Sequence, residues 1–132
     1  MITLSKDMEV GVEKIDKQHK ELIDRLNTLV EMGVHSVSHE ETAKTLNLLT
    51  DYVKKHFSDE EFLQKQAKYP KYEWHKGQHQ LYIDEFDKLK KEFELNGSSA
   101  KFTLELNKSI INWIVKHIKS ADVELGKYLN TH

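Results

Sequence analysis

The sequence predicts an all-α protein: an antiparallel, up-down-up-down four-helix bundle with an N-terminal arm. Apolar residues recur at helical spacing in four long segments, and no segment shows the strict alternation of a half-buried strand. Only five glycines and one proline occur among 132 residues, whereas the helix-forming residues lysine, glutamate and leucine are abundant. The connections between segments are short, so consecutive helices are expected to be antiparallel.

Length and composition limit the possible functions. We expect residues 1–132 to form a single domain, with an arm over 1–12 and the bundle over 13–132. The chain has no cysteine, so any metal must be held by nitrogen and oxygen ligands. A net charge of −2 gives no electrostatic reason to expect nucleic acid or a membrane surface as a partner. Without a signal sequence or an apolar span, we expect a cytoplasmic protein.

The first helix is predicted from about Glu13 to Met32, with Gly33 as its stop. His19 lies on the apolar face of this helix. The other inward residues of the first helix are Ile15, Leu22, Leu26 and Leu29.

The second helix is predicted to begin at Ser38, because residues 38–41 have the spacing of a capping box. His56 and Glu60 occupy positions that are missing from its apolar stripe. That stripe comprises Leu46, Leu49, Val53, Leu63 and Ala67.

The third helix is predicted with Pro70 in its first turn and Leu95 near its end, before the break at residues 96–99. Extended backward, its apolar stripe passes through His79 and His75. The stripe comprises Tyr82, Phe86, Leu89 and Phe93.

The fourth helix is predicted from about Lys101 to Leu129, with two inward edges. His117 continues the first edge. The first edge comprises Leu106, Ile110, Trp113 and Tyr128, and the second comprises Ile111, Ile114, Ile118 and Leu125.

Every predicted helix carries ligand-type side chains at core positions. These candidate metal ligands are His19, His56, Glu60, His75, His79 and His117, with Asp122 nearby. A spacing of four residues places His56 with Glu60, and His75 with His79, one turn apart on one helix face. Any one of them alone is more simply a hydrogen-bonded core residue. Burying all seven without a metal would leave many polar groups unsatisfied, so the set predicts a metal site.

Asp122 departs from the helical spacing of the other ligands, because it lies five residues after His117 and about 140° away on a regular helix. It is either a surface aspartate or is turned inward by a local wide turn, and we favour the wide turn. The other three histidines, His35, His39 and His132, lie in a loop or at the terminus and are assigned no metal role.

Two carboxylates among five histidines predict a dinuclear centre, because one ion could hardly accommodate seven protein ligands. If one six-coordinate ion takes three histidines and the other takes two, the second ion retains an open position for a small exogenous ligand. Iron suits this combination, although zinc and manganese also accept these ligand types.

Four segments resemble the hemerythrin family, specifically its single-domain bacterial members. The family's first ligand-bearing segment is similar to residues 10–12 and 15–20 of this chain. Its second ligand-bearing segment is similar to residues 56–61. The third contains His75 and His79 after Tyr69-Pro70, and the fourth covers residues 113–118 with Asp122 behind them. The resemblance covers nearly the whole chain.

The resemblance implies a specific sharing of the ligands between two oxo- or hydroxo-bridged iron ions. It implies that His75, His79 and His117 hold one iron, that His19 and His56 hold the other, and that Glu60 and Asp122 bridge them. It further implies that dioxygen binds at the two-histidine iron, where small anions are also expected to bind.

Three large apolar residues are expected to wall the oxygen pocket. Leu22 lies one turn after His19, Phe57 follows His56, and Trp113 lies one turn before His117. All three are also ordinary candidates for the bundle core, and the two roles are compatible.

Reversible dioxygen binding, for storage, transport or scavenging and without catalysis, is the favoured function. The main alternative is a diiron oxidase or peroxidase, but ferritin-like enzymes draw on carboxylate-x-x-His pairs, and only Asp16-x-x-His19 has that spacing here. We expect Asp16 to orient the neighbouring histidine or to be exposed. A third alternative is an oxygen or redox sensor that acts through a separate protein partner, which the sequence does not identify.

Overall fold

Four long helices form the protein, as the periodicity predicts. The computed structural model describes residues 2–34 and 38–131, and within these ranges it contains helices and no strand. The helices are α1 (Glu13–Val34), α2 (His39–Gln66), α3 (Tyr72–Asn96) and α4, which begins at Ala100 and ends at Thr131. Helix α4 comprises, in order, Ala100–Glu105, Leu106–Ile111, Asn112–His117, Ile118–Asp122 and Val123–Thr131, of which the second and fourth segments are π-helical. The predicted four-helix bundle is confirmed.

Capping residues place the helix ends close to their predicted positions. The Ser38 hydroxyl accepts a hydrogen bond from the Glu41 amide at 3.2 Å, as the capping-box spacing predicts. Helix α3 ends before Gly97, whose φ of +64° lies in the region that favours glycine. Helix α1 continues past Gly33 to Val34.

The prediction that Pro70 lies in the first turn of α3 is wrong. The chain leaves α2 through Lys68, which has a positive φ of 54°, and the Tyr69 amide donates to the Gln64 carbonyl at 2.9 Å. The Tyr72 amide donates to the Tyr69 carbonyl at 3.2 Å, which closes a turn that contains Pro70, and the helix begins only at Tyr72.

Of the three histidines without a predicted metal role, one lies within the described residues. His39 is the exposed first residue of α2, and its ring stacks on Phe93 with 4.4 Å between centroids. His35 and His132 lie outside the described residues.

Two apolar clusters fill the bundle, and the candidate metal ligands lie between them. The smaller cluster contains Val10, Ile15, Tyr69 and Leu125. On α1, His19 lies between Ile15 of the smaller cluster and Leu22 of the larger one. On α4, Asp122 lies in the same way between Ile118 and Leu125. The ligands therefore form a polar layer across an otherwise apolar interior.

Some positions on the predicted stripes are less buried than the periodicity suggests. Four of them are only partly buried: Leu63, Ala67, Trp113 and Tyr128. Near the C-terminal end of α2 the fully buried residue is Gln64. The apolar pattern did not include it, because its side chain is polar.

The N-terminal arm packs against α1. Ile2 and the Asn27 side chain exchange two hydrogen bonds, of 3.0 and 2.7 Å. The amides of Val10 and Gly11 both donate to the Asp16 carboxylate, at 2.8 and 3.1 Å. Asp16 thus fixes the arm. It is partly buried and makes no hydrogen bond to His19, so neither of the two expected alternatives, orienting the histidine or being exposed, describes its contacts. None of the helices in the described ranges has the length and apolar character needed to cross a membrane.

Candidate metal centre

A wide turn in α4 brings Asp122 into the core. The segment Ile118–Asp122 is π-helical, so the residue five positions after His117 lies on the same side of the helix. Asp122 is fully buried, and its Oδ1 lies 3.2 Å from His117 Nε2. The predicted wide turn is therefore present.

The Glu60 carboxylate faces histidines on both sides. Its Oε1 lies 3.0 Å from His75 Nε2 and 3.2 Å from His79 Nε2. Its Oε2 lies 3.3 Å from His56 Nε2 and 3.8 Å from His19 Nε2. One oxygen therefore faces each group of histidines, as a carboxylate that bridges two ions must.

Asp122 repeats this arrangement from the opposite helix. Its Oδ1 lies 2.9 Å from His75 Nε2, and this oxygen also faces His117. Its Oδ2 lies 3.0 Å from His19 Nε2. The two carboxylates thus connect the same two groups of histidines.

All seven candidate ligands are buried, and they form two overlapping groups whose ligand atoms lie within 4.8 Å of one another. One group comprises Glu60, His75, His79, His117 and Asp122, and the other comprises His19, His56, Glu60 and Asp122. Within the described parts of the chain, seven of the inward-facing atoms have no hydrogen-bond partner: Nε2 of His19, His56 and His79, and both carboxylate oxygens of Glu60 and Asp122. Cations between these atoms would satisfy them, so the residues fit a metal centre.

Comparison with known proteins agrees with this geometry. The family model "Hemerythrin HHE cation binding domain" matches residues 10–129. The chain belongs to the hemerythrin family. The bacteriohemerythrin of Campylobacter jejuni is 31% identical over 127 residues, which are 93% of this chain and 91% of that protein. The bacteriohemerythrin of Stenotrophomonas maltophilia is 26% identical over 126 residues, covering 96% and 80%.

Membership makes this chain a metal-binding hemerythrin, and the family implies non-haem iron as the metal. A third relative, the bacteriohemerythrin of Pseudomonas aeruginosa strain PAO1, is 28% identical over 116 residues, which are 88% of this chain and 73% of that protein. The matched residues 10–129 include all seven candidate ligands.

Two histidines of the hemerythrin centre are oriented by side chains that the sequence did not reveal. His56 Nδ1 lies 2.7 Å from Gln18 Oε1, and His79 Nδ1 lies 2.8 Å from Glu61 Oε2. Because both partners are acceptors, each Nδ1 carries the proton and each Nε2 lone pair faces the centre. Both partners adjoin predicted ligands along the chain, but their contacts cross between helices, which periodicity does not predict.

Without a metal, the carboxylates and histidines of the hemerythrin centre shift each other's pKa values. Burial lowers the pKa of His75, but hydrogen bonds to Asp122 and Glu60 outweigh burial and raise it to about 9. Burial and the neighbouring carboxylate raise the pKa of Glu60, yet the surrounding histidines bring it below its usual range. At His117 burial dominates and lowers the pKa. The metal-free centre therefore holds protons where a metal would bind.

Two of the three predicted pocket walls are fully enclosed, and the third reaches the surface. Leu22 and Phe57 are buried, and the Phe57 ring stacks on His79 with 3.8 Å between centroids. Trp113 stacks on His117 at 4.7 Å but is only partly buried. It lines an open surface groove of about 200 Å³ together with Trp74.

Proposed function

We propose that this chain holds two iron ions at the seven-residue centre and binds dioxygen reversibly there. The observation that carries the proposal is that Glu60 and Asp122 each direct one oxygen toward each of two groups of histidines. In this assignment three histidines hold one iron and two hold the other. The first set is His75, His79 and His117, and the second is His19 and His56.

The unequal sharing supports a binding function. An ion with two histidines, two bridging carboxylate oxygens and one solvent-derived bridge has one fewer ligand than its neighbour and can accept a small molecule. Two ferrous ions would supply the electrons and the open position for dioxygen and, when oxidised, for small anions. The chain's own part is to hold the ions at a fixed separation and to exclude water.

The apolar walls favour retention of dioxygen over its reduction. Leu22 and Phe57 are buried beside the candidate ligands and carry no proton to donate. The oxidase or peroxidase alternative receives no support from Asp16, because its carboxylate accepts from the arm amides of Val10 and Gly11. The described contacts favour neither this alternative nor the sensor over reversible binding.

The deciding experiment adds dioxygen to the reduced, iron-loaded protein and follows its visible absorption. We expect one dioxygen to be taken up per iron pair, and the colourless reduced form to return when oxygen is removed under inert gas. Irreversible consumption of oxygen, leaving the diferric protein or an oxidised co-substrate, would instead favour the oxidase.

A pair of leucine variants tests the role of the pocket wall. Leu22→Ser should lose bound oxygen to oxidation several-fold faster, because a polar, smaller side chain admits water beside the centre. Leu29→Ser is the matched control, since Leu29 is equally buried but lies two turns farther along α1. The rate is measured from the decay of the oxygenated spectrum in air. Equal rates in the two variants would contradict a role for Leu22 in the oxygen pocket.

A further inference from the structure

Five buried polar atoms remain unpartnered after a metal has satisfied the inward-facing atoms. They are Nδ1 of His19, Nδ1 of His75, both amide atoms of Gln64 and the hydroxyl of Tyr69, none of which has a hydrogen-bond partner among the described residues. Gln64 is fully buried and Tyr69 is 6% exposed. Buried amide and hydroxyl groups are nearly always hydrogen-bonded, so five such atoms together indicate a bound polar molecule.

These groups belong to one layer at the smaller-cluster side of the centre. Gln64 lies one turn after Glu60 on α2, and a helical side chain leans back toward the preceding turn, which is the level of the metal ligands. The Tyr69 amide donates to the Gln64 carbonyl, and the Tyr69 ring lies 6.4 Å from the His75 ring. Ile15, one turn before His19, packs in the same cluster as Tyr69.

The effect of the nearby carboxylates on Tyr69 agrees with this placement. Burial raises the pKa of Tyr69, and the negative charges of Glu124, Asp122 and Glu60 raise it further, to about 12. The hydroxyl therefore keeps its proton at neutral pH and remains a hydrogen-bond donor.

The histidines differ in whether Nδ1, the ring nitrogen that would not bind the metal, has a hydrogen-bond acceptor. Nδ1 of His56 and of His79 donates to a protein acceptor, whereas Nδ1 of His19 and of His75 has no acceptor in residues 2–34 and 38–131. When Nε2 binds a metal, Nδ1 carries a proton and requires an acceptor. A water molecule can accept that proton and at the same time donate to an amide oxygen or a hydroxyl. A side chain that only donates hydrogen bonds cannot accept the proton.

We propose that Gln64 and Tyr69 form an internal water-binding site beside the metal centre, and that water held there orients His19 and His75. Gln64 and Tyr69 are thus positioning residues that act through water on one ligand of each iron. This inference rests on the proposed assignment of His19 and His75 as iron ligands.

The test uses Gln64→Met, which keeps the length of the side chain but removes the amide, and Tyr69→Phe, which removes only the hydroxyl. Gln66→Met, at an exposed glutamine of the same helix, is the control for the chemical change. Each protein is loaded with iron, and its iron content is measured first. A wild-type content far from two per chain would count against the proposed function and not against the water site.

The deciding readout is the iron-shifted, exchangeable Nδ1–H proton resonances of the loaded protein. In Gln64→Met and Tyr69→Phe we expect those of His19 and His75 to move and to exchange with deuterium at a different rate. Those of His56 and His79 should be unchanged, because Gln18 and Glu61 still accept their protons. Unchanged His19 and His75 resonances in both variants would overturn the proposal.

Thermal melting separates a hydrated layer from a dry one. If water fills the layer, Gln64→Met displaces it and leaves other groups unpartnered, so the melting temperature should fall by about 3 °C or more. The double variant with Tyr69→Phe should then be little worse than Gln64→Met alone, because both act through the same water. A dry layer predicts that Gln64→Met melts at the same or a higher temperature, and that result would contradict the proposal.

Discussion

Glu60 and Asp122 are the side chains on which the geometry of the centre depends most. Each lies within 3.0 Å of at least one histidine nitrogen, and each directs its two oxygens to different histidine groups. A terminal histidine faces one group only. Removal of a carboxylate should therefore weaken both candidate metal positions at once.

Glu60→Ala is expected to abolish the paired metal site, because both ions lose a ligand and five buried imidazoles lose a counter-charge. Iron analysis and the absorption spectrum of the oxidised protein measure the effect. Glu31→Ala, at an exposed glutamate, should retain both irons. If Glu60→Ala kept two irons and an unchanged spectrum, Glu60 would not be a bridging ligand.

Metal binding should release protons and strengthen as the pH rises. Burial lowers the pKa values of His19, His75 and His79, but neighbouring carboxylates raise all three above 6.5, and that of His75 reaches about 9. A metal must displace the proton that His75 holds at neutral pH. Titration of the metal-free protein with ferrous ion under inert gas should show tighter binding at pH 8 than at pH 6. Equal affinity at both values would contradict this.

The same pKa shifts should lower the stability of the metal-free fold as the pH rises, whereas they strengthen metal binding. A histidine whose pKa is raised to about 9 on folding stabilises the fold fully below 6.5, and this contribution is lost as the pH rises through 9. Metal-free protein should therefore melt at a lower temperature at pH 10 than at pH 7. A higher melting temperature at pH 10 would show that other groups dominate.

At the residue scale, periodicity placed six of the seven candidate ligands in the core, because each of the six lies on its helix's apolar face. Asp122 was placed there only by the expectation of a wide turn. Periodicity could not identify Gln18, Glu61 or Gln64, because their roles depend on contacts between helices or on burial of a polar side chain. For the same reason it misjudged Asp16, whose partners are amides of the arm.

At the scale of the helix, local sequence signals predicted where helices begin and end better than where they depart from regular α-helical geometry. Ser38 begins α2 through its hydroxyl, as its sequence indicates. The π-helical segment Ile118–Asp122 could be anticipated only because Asp122 was needed inside the core. The second such segment, Leu106–Ile111, went unpredicted, because its apolar residues also fit the two edges of a regular helix.

Two helical glycines should respond to alanine in opposite directions. A Cβ at Gly126 would meet the Val10 carbonyl oxygen at 2.0 Å, so Gly126→Ala must displace the arm and should cost about 1–3 kcal/mol. A Cβ at Gly77 meets no atom of the described residues within 4 Å, so Gly77→Ala should stabilise the protein by about 1 kcal/mol. Urea unfolding measures both. A stabilising Gly126→Ala would mean that the arm does not pack there in solution.

At the scale of the whole molecule, the candidate ligands connect all four helices across one layer. His19 comes from α1, His56 and Glu60 from α2, His75 from α3 and His117 from α4. The sequence predicted that every helix would carry a ligand into the core, but not that the apolar residues would form one cluster on each side of this layer. Loss of the metal should therefore affect the packing of the entire bundle.

The iron-loaded protein should contain close to two irons per chain and melt well above the iron-free protein. A metal present at about 1,000 times its dissociation constant adds about 4 kcal/mol to the free energy of unfolding. Metal analysis and paired thermal melts give both quantities. An iron content near one, or equal melting temperatures, would count heavily against a dinuclear centre.

The position of Trp113 has an optical consequence. Its indole lies 15° from parallel with the His117 ring at 4.7 Å, so a metal on that imidazole would be separated from the fluorophore by one ring. Excitation energy should pass from the indole to the coloured iron centre, and emission from Trp113 should be quenched. Trp74, the other tryptophan, is half exposed, and its ring lies 6.2 Å from that of His75, so its emission should be quenched as well. Ultraviolet fluorescence of the unmodified chain should therefore report how much of the three-histidine site is occupied.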